Sequence, residues 1–298
     1  MTLLRLLLSA ALTLSVASAA LAGDEESEQE GGILGTGILG TVTALGSIFV
    51  NGQHIRFAPD LEVSEGATVA MARQLRPGHT VAVIATQHDD SWQASYIRQI
   101  APLVGPVQSK AAGQIMVMGT AVLDAGLDTT DLNVGDWVAV SGLWRSDTIV
   151  ASRIESVSPD SQAQIEGTVF DVTPGQPLRI GGTEITGFAP RHLSDGDVVR
   201  AFGTTTGNAL RADRLEAGVF AGKPHVVFSE GYFSVPEPSG VYTLLGSDIV
   251  SYTDNPEMID PSSRQFVCNS NDRLFAILAD QNEATEIATV LESCLPPH

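Results

Sequence analysis

The chain is poor in cysteine, in aromatic residues and in positive charge, and it lacks catalytic signatures. Only Cys268 and Cys294 occur among 298 residues, and no further ligands stand near them to complete a metal site. Sixteen Lys and Arg face 35 Asp and Glu, a net charge of −19. Such a surface repels phosphate backbones, so nucleic acid is excluded as a partner. There is no G-x-S-x-G elbow and no phosphate-binding P-loop. Gly35-x-Gly37-x-x-Gly40 fits a dinucleotide fingerprint by letter, but it precedes a strand and no helix follows to hold a phosphate. No enzyme activity, cofactor or metal is therefore expected. With 43% hydrophobic residues the chain is nevertheless apolar enough to build cores, which excludes disorder overall.

Long apolar runs are absent after the N-terminus. There, Arg5 precedes an apolar run from Leu6 to Val16, and Ala20-Leu21-Ala22 offers a small-residue cleavage site. These are the parts of a secretory signal peptide, 1–22. A periplasmic or secreted protein without a membrane span after cleavage is expected. Asp24 to Glu30 is strongly acidic and reads as a solvated leader, 23–37. In an oxidising compartment Cys268 and Cys294 read as a disulfide, with a pair of buried thiols as the alternative.

What the chain does have is repetition. Gly40-Thr41-Val42, Gly105-Pro106-Val107 and Gly167-Thr168-Val169 open three similar segments. Each continues with a glycine between apolar residues, in the sets Val50/Gly52/Ile55, Val117/Gly119/Val122 and Ile180/Gly182/Ile185. Glycine there signals a hairpin turn. A second turn follows at Gly78-His79, Gly135-Asp136 and Gly196-Asp197, and leads into Val81/Val83, Val138/Val140 and Val199/Ala201. Period-two spacing puts each pair on one face, with Ala82, Ala139 and Arg200 on the other. Sixteen residues after the second glycine each copy reaches a last strand, at Ala94, Ala151 and Ala212.

Short strands in units of about sixty residues leave costly edges, which closure removes. The expected fold is mainly β: three tandem OB-like or SH3-like β-barrels at 38–103, 104–162 and 163–222. A small disulfide-containing α+β region is expected at 223–298, with a helix capped by Asn282; the alternative is an elaboration packed on the third barrel.

The stretch from Gly35 to Gly52, with its G-T-V and G-S-I-x-V-N-G, resembles the secreted bacterial family called domain of unknown function 5666. The match is close in the first repeat and looser in the next two. The resemblance implies export and repeated small β-barrels, and it carries no catalytic residues.

The candidate ligand-binding residues are Trp137 and Trp144. With Val138 and Val140 in the core, Trp137 would face outward, and an aromatic pair could stack on a sugar or a partner. Packing between adjacent barrels is the competing reading. His88-Asp89-Asp90 and the trio Asp124, Asp128 and Asp131 are read as polar turns rather than metal sites. The expected function is a non-enzymatic envelope protein whose barrels bind or organise an envelope protein or polysaccharide. A carbohydrate-binding module and a hydrolase with a dispersed site are the alternatives.

Overall fold

The computed structural model describes residues 35–188, 192–270 and 273–278. The proposed signal peptide, Asn282 and Cys294 lie outside them.

The first repeat contains β1 (Thr36–Leu45), β2 (Ile48–Val50), β3 (Gln53–Arg56), β4 (Val63–Ser64), β5 (Thr80–His88) and β6 (Ser91–Ile100). Pairing runs β1–β2–β3–β6–β5 and returns from β5 to β1, so five strands close on themselves. The second repeat contains β7 (Leu103–Ala111), β8 (Gln114–Val117), β9 (Thr120–Leu123), β10 (Trp137–Arg145) and β11 (Thr148–Ser156). Its ring β7–β8–β9–β11–β10 closes the same way. The third contains β12 (Ala163–Thr168), β13 (Leu178–Ile180), β14 (Thr183–Thr186), β15 (Val198–Thr206) and β16 (Ala209–Ala217). Here β12, β15, β16, β14 and β13 pair in order, but β13 does not return to β12.

The repeated residues recur in repeated geometry. The second-turn glycines Gly78, Gly135 and Gly196 all have positive φ, of 92°, 98° and 95°, the region that glycine tolerates best. Their N–H groups donate to the carbonyls of Val42, Val107 and Val169. Sixteen residues on, the ladders pair Ala85 with Ala94, Gly142 with Ala151 and Gly203 with Ala212, each just after a register shift. The constant spacing thus marks a β-bulge, which bends the strand so that a small sheet can curl. Val81, Val83, Val138, Val140, Val199 and Ala201 are all fully buried.

The opposite face is covered too. Ala82, Ala139 and Arg200 are buried as well, because the repeats abut. Ala82 joins Leu39, Ile100, Val198 and Val219 in a junction cluster, and Ala139 joins Ala101 and Val104 in another. β7 pairs with β12, and the second and third repeats share one apolar core.

After residue 222 three of the described strands join the first repeat's sheet rather than forming a sheet of their own, and the helix expected from Asn282 lies outside the described residues. β17 (Val226–Gly231) lies parallel to β1, and β20 (Gln265–Ser270) and β21 (Arg273–Leu278) follow it, so these strands extend the first repeat's sheet. β18 (Val241–Leu244) and β19 (Ile249–Tyr252) form a hairpin beside it. Among the described residues after 222 the only helical segment is a 3-10 turn, Pro256–Met258. Cys268 is fully buried in β20; its expected bond to Cys294 lies outside the described residues.

Candidate functional site

The break in the third repeat has a local cause. In the first two repeats the chain runs on past the opening valine and pairs with the next strand, Val42 with Val50 and Val107 with Val117. In the third, Asp171 takes a φ of 55°, and the Val172 N–H donates to Asp195 Oδ1 at 2.8 Å. Pro174 and Pro177 follow, and neither has an N–H to give to a ladder. β13 is left as an edge, with Arg179 64% exposed between the buried Leu178 and Ile180.

A cleft of about 370 Å³ opens there. Trp144, Ile180 and Leu245 line its apolar interior, and Phe170 and Tyr242 stand beside them. Phe170 is 39% exposed, whereas Tyr242 is buried and stacks edge-on against Phe233 at 5.0 Å. The rim carries Asp147, Asp171 and Glu237 against Arg179, and Arg179 is itself 3.5 Å from Glu184. The rim is therefore acidic.

Trp144 borders this cleft from within the fold. It is 5% exposed, its Nε1–H donates to the Glu166 carbonyl at 2.7 Å, and it belongs to the shared core of the second and third repeats. A Cβ on Gly167 or on Gly181 would come within 2.8 Å of the ring, so two glycines make the slot that holds it. It thus packs between adjacent repeats, as the competing reading has it, rather than standing exposed as a stacking platform. Trp137 is half-buried against the same core and takes no part in the cleft. The two tryptophans do not form a joint surface.

The other sequence candidates are used locally. Asp89 sits in the β5–β6 turn with φ of 48°. Asp124 Oδ1 accepts the Gly126 N–H, and Asp128 Oδ1 accepts that of Thr130. Bonds from Thr130 hold the Asp128 carboxyl below its ordinary range. Among the described residues no three metal-binding side chains converge.

No sequence pattern marks the buried charges of Arg98, Glu166 and Glu230, which stitch the repeats to one another and to the C-terminal strands. Arg98 donates to both oxygens of Glu166, at 2.9 and 2.7 Å, and to the Val219 carbonyl. Burial opposes the Arg98 charge, but Glu166 outweighs it and raises the pKa. Glu230 accepts the N–H and hydroxyl of Thr41 and pairs with Arg264 at 2.7 Å; its burial pushes the carboxyl up.

At the junction of the first and second repeats, His79 stands where the others have Asp136 and Asp197. All three accept the N–H three residues back, from Arg76, Asn133 and Ser194. Burial works against the Glu155 charge, yet bonds from His79, Arg153 and Thr68 bring its pKa down to about 2. The replacement of Asp by His was the visible signal. For the cleft, the signal was the Pro174-x-x-Pro177 insertion.

A larger cavity, about 580 Å³, lies between Phe220, Pro224 and Asp248. Its buried carboxylate is already spent: Asp248 accepts the N–H groups of Val198 and Val219, and burial raises its pKa. The smaller, more apolar cleft is the better candidate.

Residues 104–155 match the family described as a domain of unknown function (DUF5666). The resemblance read from the sequence is borne out there, in the second repeat rather than in the first, where it had looked closest. No curated protein and no solved structure matches the chain.

Proposed function

We propose that this is an exported, non-catalytic envelope protein, with the repeats as a rigid scaffold and the cleft beside β13 as its binding site. The observation that carries this reading is the use of the buried ionisable groups. Arg98, Glu166, His79 and Glu155 bond to one another across junctions between repeats, while the cleft pairs an apolar interior with a polar rim. That division suits recognition better than acid–base or nucleophilic chemistry. Cleavage after Ala22 and a Cys268–Cys294 disulfide belong to the same reading.

A polysaccharide ligand is the second reading. Phe170 can stack on a sugar face, and Asp147, Asp171 and Glu237 can accept hydroxyl hydrogens. Glycan and peptide arrays probed with the mature chain test both. Binding that is lost in Phe170→Ala supports the cleft. Turnover of an ester, glycoside or peptide substrate overturns the non-catalytic reading.

A further inference from the structure

We infer that the cleft beside β13 binds an extended, basic segment of a partner polypeptide, which adds to β13 as an antiparallel strand. The inference rests on the proposed binding function and names its ligand class. The first two repeats show what fills this position when it is filled. In the second, β7 runs on beside β8 and pairs Ser109 with Met116 and Lys110 with Ile115. In the first, β1 pairs Ala44 with Phe49 beside β2. In both repeats the occupant is a strand of the chain itself. In the third, Asp171, Pro174 and Pro177 turn that strand away and the position becomes the cleft.

The hydrogen-bonding groups are in place. β13 and β14 are joined by the two-residue turn Gly181-Gly182, with Ile180 opposite Thr183 and Arg179 opposite Glu184. Antiparallel pairs alternate between bonded and non-bonded, beginning with a bonded pair at such a turn. The N–H and C=O of Ile180 therefore point to β14, and those of Arg179 point out to the cleft. Met116 stands in the same relation to the Met118-Gly119 turn and pairs outward with β7. Arg179 is thus the third repeat's counterpart of Met116, without its strand. Main-chain bonds would supply the affinity, and the apolar interior would take alternate side chains. The rim carboxylates Asp147, Asp171 and Glu237 favour a basic segment.

The probes are two labelled synthetic peptides titrated into the full mature chain: residues 108–113, whose Ser109 and Lys110 fill this position in the second repeat, and the same peptide with a lysine added at each end to meet the acidic rim. A further version of the 108–113 peptide carries an N-methyl group on Ser109, which removes one ladder donor and leaves the side chains intact. Binding is expected, with a loss of about tenfold on N-methylation and slower hydrogen exchange of the Arg179 amide in the complex. Phe170→Ala should weaken it without altering the melting curve of the free protein. No binding by either peptide, or equal binding of the N-methylated form, overturns the inference. So does an Arg179 amide already protected without peptide, because the chain would then be filling its own cleft. An oligosaccharide that binds in the cleft when neither peptide does would leave the binding function standing and remove this ligand; neither binding would remove both.

Discussion

His79 donates from Nε2 to Glu155 Oε2 across 2.7 Å, tying the turn before β5 to the end of β11. The tautomer is set from the other side of the ring. Nδ1 accepts the Arg76 N–H at 3.0 Å, so the ring proton sits on Nε2. One histidine therefore keeps the turn shared by all three repeats and adds a bond between two of them.

Replacing it by the residue that the other repeats use should be harmful. His79→Asp keeps an acceptor for Arg76 but sets a carboxylate against Glu155 in a buried site. A loss of about 3 kcal/mol is expected, and chemical denaturation measures it. The double variant His79→Asp/Glu155→Lys should recover part of the loss. A neutral His79→Asp would show that the junction bond contributes nothing.

The same site sets an acid dependence. A carboxyl whose pKa is lower in the folded than in the unfolded chain stabilises the fold above its unfolded value, here 4.5, and that contribution fades as the pH falls toward about 2. Melting temperatures of the parent should decline over this window. Glu155→Gln should be less stable at pH 7 and show a shallower decline. Parallel curves would remove Glu155 from the account.

Arg98 and Glu166 are 2% and 4% exposed. Glu166→Ala leaves the guanidinium without its carboxylate and should cost about 3–5 kcal/mol. Arg98→Met combined with Glu166→Leu should be closer to the parent than the single variant, since no buried charge remains unpaired. If the double variant is the worse of the two, the pair is a net stabiliser.

Gly167 tests the tryptophan slot. A methyl there would meet Trp144 Nε1 at 2.8 Å and Ile180 Cγ2 at 2.7 Å. Gly167→Ala should lose about 1–3 kcal/mol by overpacking, and Trp144 fluorescence should shift as the ring is displaced. Trp144→Phe combined with Gly167→Ala should relieve part of the strain. An unaffected melting point would mean that Trp144 is held loosely.

Intact-mass analysis of the exported protein should give a chain beginning near Gly23, and thiol labelling of the unfolded, unreduced chain should give no adduct. Retention of residues 1–22 would overturn export. Two labelled cysteines would leave β20 held by packing alone.

Local requirements made much of this protein readable from its sequence. Gly78, Gly135 and Gly196 recur because each copy of one turn needs a positive φ, and period two marks Val138 and Val140 as core because a strand has two faces. The sixteen-residue spacing to Ala94, Ala151 and Ala212 repeats because a bulge sits at the same place each time. The family resemblance rests on the same local pattern.

Tertiary structure decided what those faces touch. Period two could not tell that Ala82, Ala139 and Arg200 face neighbouring repeats, nor that Trp144 points into the core shared by the second and third repeats. Nor could it place β17 beside β1, 189 residues away at the Thr41–Glu230 bond. The cleft follows from both levels. Pro174 and Pro177 are visible in the chain, but the missing strand leaves a cleft only because Trp144 of the second repeat and the segment Ser234–Leu245 wall the space around it. Such contacts join residues far apart in sequence, and their energy depends on which surfaces meet, a property that no local pattern contains.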